Sequence, residues 1–249
     1  MQKFQSREGQ PVPDVAFRYR KNGEWKETNT EQLFKGRTVA LFSLPGAYTP
    51  TCSSTHLPRF NELAETLRAN GVDEIIGLAV NDPFVMESWG KEQACDNVFL
   101  LPDGNASFTE RMGMLVDKSE LNLGKRSWRY SMLVRDGIIE KMFIEKEGPD
   151  DPLEVSDADT LLHYLNKDAK VPDHVALLSR EGCPFCAKAK QLLKDAAIPY
   201  VDISLPDSIR RRALYALANA QTVPQLFVNG KLIGDSEAIE QWVGQRTAA

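Results

Sequence analysis

The chain has 249 residues, 42% hydrophobic and 26% charged, with 16 glycines and 14 prolines; these proportions exclude a collagen-like, low-complexity or disordered chain and leave room for one large domain or two modest ones. Thirty basic against 35 acidic residues give a net charge of -5, and the longest basic run is Arg210-Arg211-Arg212, too short to track phosphates, so nucleic acid is not the expected main partner. The apolar runs fall far short of the ~20 residues that span a bilayer and Met1-Gln2-Lys3-Phe4-Gln5 has no apolar signal region, so a cytoplasmic protein without membrane contact is expected.

In chain order, residues 38–44 (Thr-Val-Ala-Leu-Phe-Ser-Leu) predict a buried strand running into a loop at Pro45-Gly46. Leu57, Phe60, Leu63, Ala64 and Leu67 recur at helical spacing, and Asn70-Gly71 stops that helix. A strand over 75–80, a helix over 83–91 and a strand over 98–101 follow. Residues 131–134 and 138–144 form a hairpin about Asp136-Gly137. A helix carrying Leu161, Leu162 and Leu165 ends near Asn166, and the polar stretch after it reads as a linker. The domains are therefore placed at 1–167 and 174–249, with 168–173 between them. The second restarts as strand 175–178, helix 184–196, strand 200–203, helix 208–217, strand 225–228, an Asn229-Gly230 turn, strand 231–233 and helix 236–243. That β-α-β-α-β-β-α order is the one expected of a thioredoxin-like fold, so the class is α/β.

Four cysteines are too few for a disulfide scaffold in a reducing compartment and point to catalysis, metal binding or burial. Cys52 follows a buried strand and precedes a helix, where free N–H groups stabilise a thiolate. A thiolate so placed attacks the terminal oxygen of a hydroperoxide and becomes a sulfenic acid. Thr49 is three residues before it, and Pro45 and Pro50 shape the loop. Pro45-Gly46-Ala47-Tyr48-Thr49-Pro50-Thr51-Cys52-Ser53, with Thr55-His56-Leu57-Pro58 behind it, resembles the type V peroxiredoxins over roughly residues 10–165. The resemblance implies a thioredoxin fold and a catalytic set of Cys52, Thr49, Pro45 and an arginine before Ser-Met, which Trp128-Arg129-Tyr130-Ser131-Met132 supplies as Arg129. His56, four residues after Cys52, either tunes the thiolate or is a structural histidine. Cys95 lies in no motif and reads as a small buried hydrophobe.

Cys183-Pro184-Phe185-Cys186 sits where a strand gives way to a helix, the setting of a redox pair and not of a zinc half-site. Cys183, at the helix start, is the reactive member and Cys186 its disulfide partner; no second ligand pair exists for a metal. With Arg180, Thr222-Val223-Pro224 and Gly234-Asp235-Ser236, this segment resembles glutaredoxin. The likeness implies a cis Val223-Pro224 peptide. It also implies a glutathione site in which Thr222 and Val223 hold the main chain, Gly234, Asp235 and Ser236 the γ-glutamyl end, and Arg180 the glycyl carboxylate.

Two-cysteine type V peroxiredoxins carry a resolving cysteine late in the domain, yet residues 141–171 contain none. Glutathione fills that gap by condensing with the sulfenate, and Cys183 then takes over the glutathionyl group. A linker of about eight residues spans at most ~26 Å, so exchange between subunits of a homo-oligomer, dimer or tetramer, is expected. The resulting expectation is a glutathione-dependent thiol peroxidase acting on hydrogen peroxide and alkyl hydroperoxides, with glutathione as cosubstrate, no bound cofactor, and a glutathione reductase as indirect partner. The alternatives are a thioredoxin-dependent peroxiredoxin with an independent deglutathionylating unit, or a redox sensor.

Overall fold

The computed structural model describes residues 4–148, 151–196 and 198–247, and the chain divides into two compact units between Val171 and Pro172. The first opens with an antiparallel hairpin, β1 (Ala16–Lys21) and β2 (Glu24–Asn29). This hairpin is absent from the sequence reading because its strands, AFRYRK and EWKETN, are mostly charged or polar and mostly exposed. The turn between them, Asn22-Gly23 with φ of 55° and 82°, was the available signal: both residues take the left-handed region that a type I′ turn needs.

Helix α1 (Thr30–Phe34) is closed by a reciprocal cap between Asn29 and Gln32. Strand β3 (Thr38–Leu44) follows, then a π-helical turn (Cys52–His56) that continues into α2 (Leu57–Glu62) and α3 (Ala64–Ala69). Next come β4 (Glu74–Ala79), α4 (Pro83–Glu92) and β5 (Phe99–Pro102). Short elements missing from the sequence reading intervene, α5 (Ser107–Arg111), β6 (Leu115–Asp117) and β7 (Lys125–Ser127). The predicted hairpin is β8 (Tyr130–Arg135) and β9 (Ile138–Ile144), turning through Asp136 and Gly137 at φ of 47° and 77°. Helix α6 (Ala158–Leu165) closes the unit.

The main sheet has the order β5-β4-β3-β8-β9, parallel between β3, β4 and β5 and antiparallel beyond. Its centre is covered on both faces, which is why β3 reads as an unbroken apolar run. Ala40, Phe42 and Leu44 pack with Phe60, Leu63, Trp89 and Leu161, whereas Val39 and Leu41 pack with Phe17, Phe34 and Phe108. Gly77 lies opposite Phe42 in the ladder, and a Cβ there would sit 2.8 Å from Phe42 Cζ. The Phe42 ring is stacked on Phe60 at 4.1 Å and has little freedom to yield. Gly77→Ala is expected to destabilise the protein by about 1–3 kcal/mol, read as a lower urea midpoint; an unchanged midpoint would show that the ring moves aside freely.

The second unit contains β10 (Val175–Ser179), α7 (Pro184–Asp195), β11 (Val201–Ser204), α8 (Asp207–Ala218), β12 (Gln225–Val228), β13 (Lys231–Gly234) and α9 (Ser236–Thr247). Every element predicted for this segment is present in the predicted order. The sheet runs β11-β10-β12-β13, with only β10 and β11 parallel. Leu177, Leu226, Ala189, Leu193 and Ile239 form the core beneath α7 and α9. Leu178, Leu205 and Leu214 fill the opposite face under α8. Asn229 and Gly230 turn at φ of 49° and 76°, and the Val223-Pro224 peptide is cis.

Candidate functional site

The buried C-terminal end of β3 delivers the chain into a loop that several side chains hold. The Ala47 amide donates to Asn81 Oδ1 (2.9 Å), and the Tyr48 hydroxyl reaches Ser88 Oγ on α4 (2.9 Å). Tyr48 has φ of 64°, a left-handed conformation uncommon for an aromatic residue. Pro45 is buried in the same loop. Thr49 Oγ1 donates to the Gly46 carbonyl (2.8 Å). Its proton is thereby engaged, so what Thr49 offers a ligand is the lone pairs of its oxygen. Cys52 opens the π-helical turn with its side chain fully buried. Beside it, Trp89 Nε1 donates to Ser53 Oγ (3.0 Å).

Arg129, immediately before β8, is itself fully buried. Its Nη2 donates to Cys52 Sγ (3.5 Å) and its Nη1 to His56 Nδ1 (2.9 Å). Nε (3.2 Å) and Nη2 also donate to the two carboxylate oxygens of Asp151. A cationic donor on sulfur makes a hydrogen bond that strengthens as the sulfur becomes anionic. The structure thus brings Cys52 and Arg129 together across 77 residues of chain.

His56 reaches the sulfur through Arg129. Its Nε2 faces the Ser156 carbonyl at 3.1 Å, and a carbonyl only accepts, so Nε2 carries the proton and Nδ1 receives the guanidinium. Burial, and then the Arg129 charge, push the imidazole down to about 3; it is a neutral acceptor and not a cation that tunes the thiolate. The unfolded histidine titrates at 6.5, so across about pH 6.5 to 3 the unfolded chain binds a proton that the folded one refuses. Stability therefore falls as pH drops through that window, by up to ~1.4 kcal/mol per pH unit. His56→Phe is expected to flatten this part of the profile, measured as urea midpoints for both proteins. Parallel profiles would show a protonated His56 in the folded state.

In the second unit, Cys183 caps α7 and its Sγ accepts from the Cys186 amide (3.2 Å). Cys183 is 7% exposed and Cys186 1%, so the helix start presents the first sulfur and hides the second. Burial opposes ionisation of Cys183, but the Cys186 thiol, the amides of Cys186 and Phe185 and the Arg180 charge together bring its thiol below the ordinary value. Burial, reinforced by Cys183, pushes Cys186 up to about 11. The two thiols are thereby shifted in opposite directions.

Around them, the Val223 carbonyl lies 3.9 Å from Cys183 Sγ, Pro224 is buried, and Thr222 and Arg180 are exposed. Gly234 has φ of +133°, and a Cβ there would lie 2.9 Å from the Ala238 Cβ. Asp235 Oδ1 accepts from the amides of Glu237 (3.1 Å) and Ala238 (3.4 Å), so it caps α9, with Ser236 as first helical residue. Cys95 is partly buried against the core, and burial raises its thiol to about 12. Among the described residues no group of three or more His, Cys, Asp or Glu side chains converges as a metal ion would require. Nor is any described helix long and apolar enough to cross a membrane.

Asp151, Ser156 and Glu145, whose roles appear only in three dimensions, belong to no motif. His56 was visible by its spacing from Cys52, but its partners were not.

The Redoxin family profile matches residues 7–162 and the Glutaredoxin profile residues 175–233. The chain is 50% identical over 237 residues to the hybrid peroxiredoxin hyPrx5 of Haemophilus influenzae, covering 95% of this chain and 98% of that protein. It is 58% identical over 174 residues to peroxiredoxin sll1621 of Synechocystis, covering 65% of this chain and 92% of that one. Among solved structures, reduced Prx3 from Vibrio vulnificus in complex with hydrogen peroxide superposes with a TM-score of 0.61 at 38% identity, over 65% of this chain and all of that one.

Proposed function

Because the chain belongs to the redoxin family and joins a peroxiredoxin domain to a glutaredoxin domain, we propose that it is a peroxidase that draws its electrons from glutathione through its own second domain. The peroxidase class follows from the family; the donor and the order of exchange are the proposal. The Cys52 thiolate attacks the terminal oxygen of a hydroperoxide, the O–O bond breaks, and the products are a sulfenate and water or an alcohol. Arg129 donates to the sulfur and supports the charge that moves onto the leaving oxygen. Glutathione condenses with the sulfenic acid, releasing water and leaving a mixed disulfide at Cys52. The Cys183 thiolate attacks the glutathione sulfur of that disulfide and frees Cys52. A second glutathione then attacks the Cys183 adduct, releasing oxidised glutathione, which an external reductase returns to the thiol.

The observation that carries this reading is the presence in one chain of a sulfur bonded to a buried guanidinium and a second sulfur whose thiol is lowered, with no cysteine between positions 95 and 183 to resolve the first. The Vibrio relative bound to hydrogen peroxide supports the substrate class. Arg180, Thr222, Val223, Pro224, Gly234, Asp235 and Ser236 are the residues proposed to hold glutathione. The cycle needs no bound cofactor and suits a reducing cytoplasm. It is proposed to run between subunits of a dimer or tetramer, and a purely monomeric mass by light scattering would remove that part.

The test is peroxide-dependent NADPH consumption with glutathione and glutathione reductase, set against a thioredoxin system. Glutathione is expected to support the faster turnover. Equal or faster turnover with thioredoxin would overturn the donor assignment, and turnover with neither would make Cys52 a sensor.

A further inference from the structure

We propose that Glu145 is the positioning residue of the Arg129 guanidinium, acting through a relay of Ser156 and His56. This rests on the reading of Cys52 as the attacking sulfur. Glu145 follows directly on β9 and is 3% exposed, a buried carboxylate that among the described residues has no lysine or arginine within salt-bridge distance. Its Oε1 instead collects the amides of Glu154 (2.9 Å), Val155 (2.9 Å) and Ser156 (2.8 Å) and the Ser156 hydroxyl (2.7 Å). Three successive amides on one oxygen form the anion-holding concavity usually found around a bound ligand. Here the anion is part of the chain, and it fixes residues 154–156, which lie in no helix or strand.

What that loop carries makes the anchoring functional. The Ser156 carbonyl, fixed by its own amide and hydroxyl, receives His56 Nε2 (3.1 Å), and His56 Nδ1 then receives Arg129 Nη1 (2.9 Å). Asp151, which accepts from Nε and Nη2 of the same guanidinium, lies in the chain between Glu145 and the pinned residues. The Glu145 amide also donates to the Arg129 carbonyl (3.2 Å), and the Glu145 carbonyl receives Trp128 Nε1 (2.9 Å). One residue thus holds Arg129 from its backbone and, through the loop, from the tip of its side chain. A guanidinium is a rigid fork of five donors. With Nη1 held by His56, and Nε and Nη2 by Asp151, the fork is fixed in the orientation that also brings Nη2 to Cys52 Sγ. Without the pinned loop the fork is free to turn onto Asp151 alone, and the sulfur loses its donor.

Full-length protein with Cys95, Cys183 and Cys186 replaced by serine isolates Cys52. In it, Glu145→Gln keeps the shape and an acceptor oxygen while removing the charge that gathers the amides. Two readouts are taken: the single-turnover rate of sulfenic acid formation by hydrogen peroxide, and the ultraviolet absorbance of the Cys52 thiolate after subtraction of the Cys52→Ser protein. The expected result is sulfenic acid formation slowed ~10-fold or more, as for misplaced catalytic groups, with reduced thiolate absorbance near about pH 7. Neither effect is expected when Glu145→Gln is added to Arg129→Gln. His56→Phe breaks the relay at its other end, removing the bonds to Arg129 Nη1 and to the Ser156 carbonyl while leaving the Glu145 contacts in place; it should match Glu145→Gln, and it decides the matter if that variant does not fold. A rate within about twofold of the parent, or equal slowing in the Arg129→Gln background, would overturn the proposal. If the parent itself does not react with peroxide, the peroxidatic reading fails separately; the absorbance change on Glu145→Gln then upholds the relay, and its absence rejects it.

Discussion

A Cys183→Ser variant of the full chain is expected to lose most of its glutathione-supported peroxide turnover while its Cys52 still consumes a first equivalent of peroxide at the wild-type rate. The two halves of that result come from different sulfurs. In the proposed cycle, peroxide reduction uses Cys52 and the Arg129 donor at 3.5 Å, neither of which the substitution touches. In the same cycle, regeneration proceeds by attack of a thiolate on the mixed disulfide at Cys52, and attack is fastest from a thiol whose pKa lies near the ambient pH. Cys183 is held in that direction by the Cys186 thiol, two helix-start amides and the Arg180 charge, against its burial; the ordinary thiol of free glutathione is not. Tethering also supplies Cys183 at an effective concentration of order mM. Losing both advantages slows steady-state turnover ~10-fold or more, and the residual rate becomes first order in glutathione. Turnover unimpaired in Cys183→Ser would show that the second domain stands outside the cycle.

Arg129→Gln is expected to slow sulfenic acid formation by about 10²–10³-fold, the range for removing one preorganised donor from a site where charge develops. The side chain is fully buried, so water does not replace the lost donor. Glutamine retains a polar end but neither the charge nor the fork, and it leaves His56 Nδ1 and Asp151 without their partner. Stability falls as well, though by less than the 3–5 kcal/mol typical of breaking a fully buried pair, since the Asp151 side chain is 29% exposed. Arg129→Lys separates charge from geometry. An ammonium keeps the charge but places its three donors on one nitrogen, whereas His56, Asp151 and Cys52 are met from three separate nitrogens of the planar guanidinium, so the lysine variant is expected to fall between the two. Stopped-flow peroxide consumption with each variant, alongside urea midpoints, checks this; a lysine variant as fast as wild type would show that charge alone suffices.

The reach of sequence reading differed between the two units for identifiable reasons. In residues 174–249 each apolar run is bounded by a turn or cap signal, Cys183-Pro184, Asn229-Gly230 and Asp235-Ser236 among them, so local rules place every element. In the first unit the same rules found β3, β4, α4 and the β8–β9 hairpin but missed β1 and β2. Those strands are held from outside: Arg20 Nε pairs with Glu87 on α4 (3.1 Å), and the Arg20 guanidinium lies over the Phe84 ring at 4.6 Å. Contacts of that kind leave no periodic trace in a charged segment.

The sequence by itself determined which sulfurs stand at helical starts, because a strand, a turn and a helix start are all encoded within about ten residues of each cysteine. Arg129 was reached only by likeness to a family. The tertiary structure alone decided that a neutral His56, Asp151 and the Glu145-pinned loop surround that arginine, since His56 finds Ser156 across 100 residues and Arg129 across 73. Spacing along a chain constrains neighbours within a turn or two; which distant carboxylate meets a buried cation is settled by packing, where each unpaired charge must find its partner.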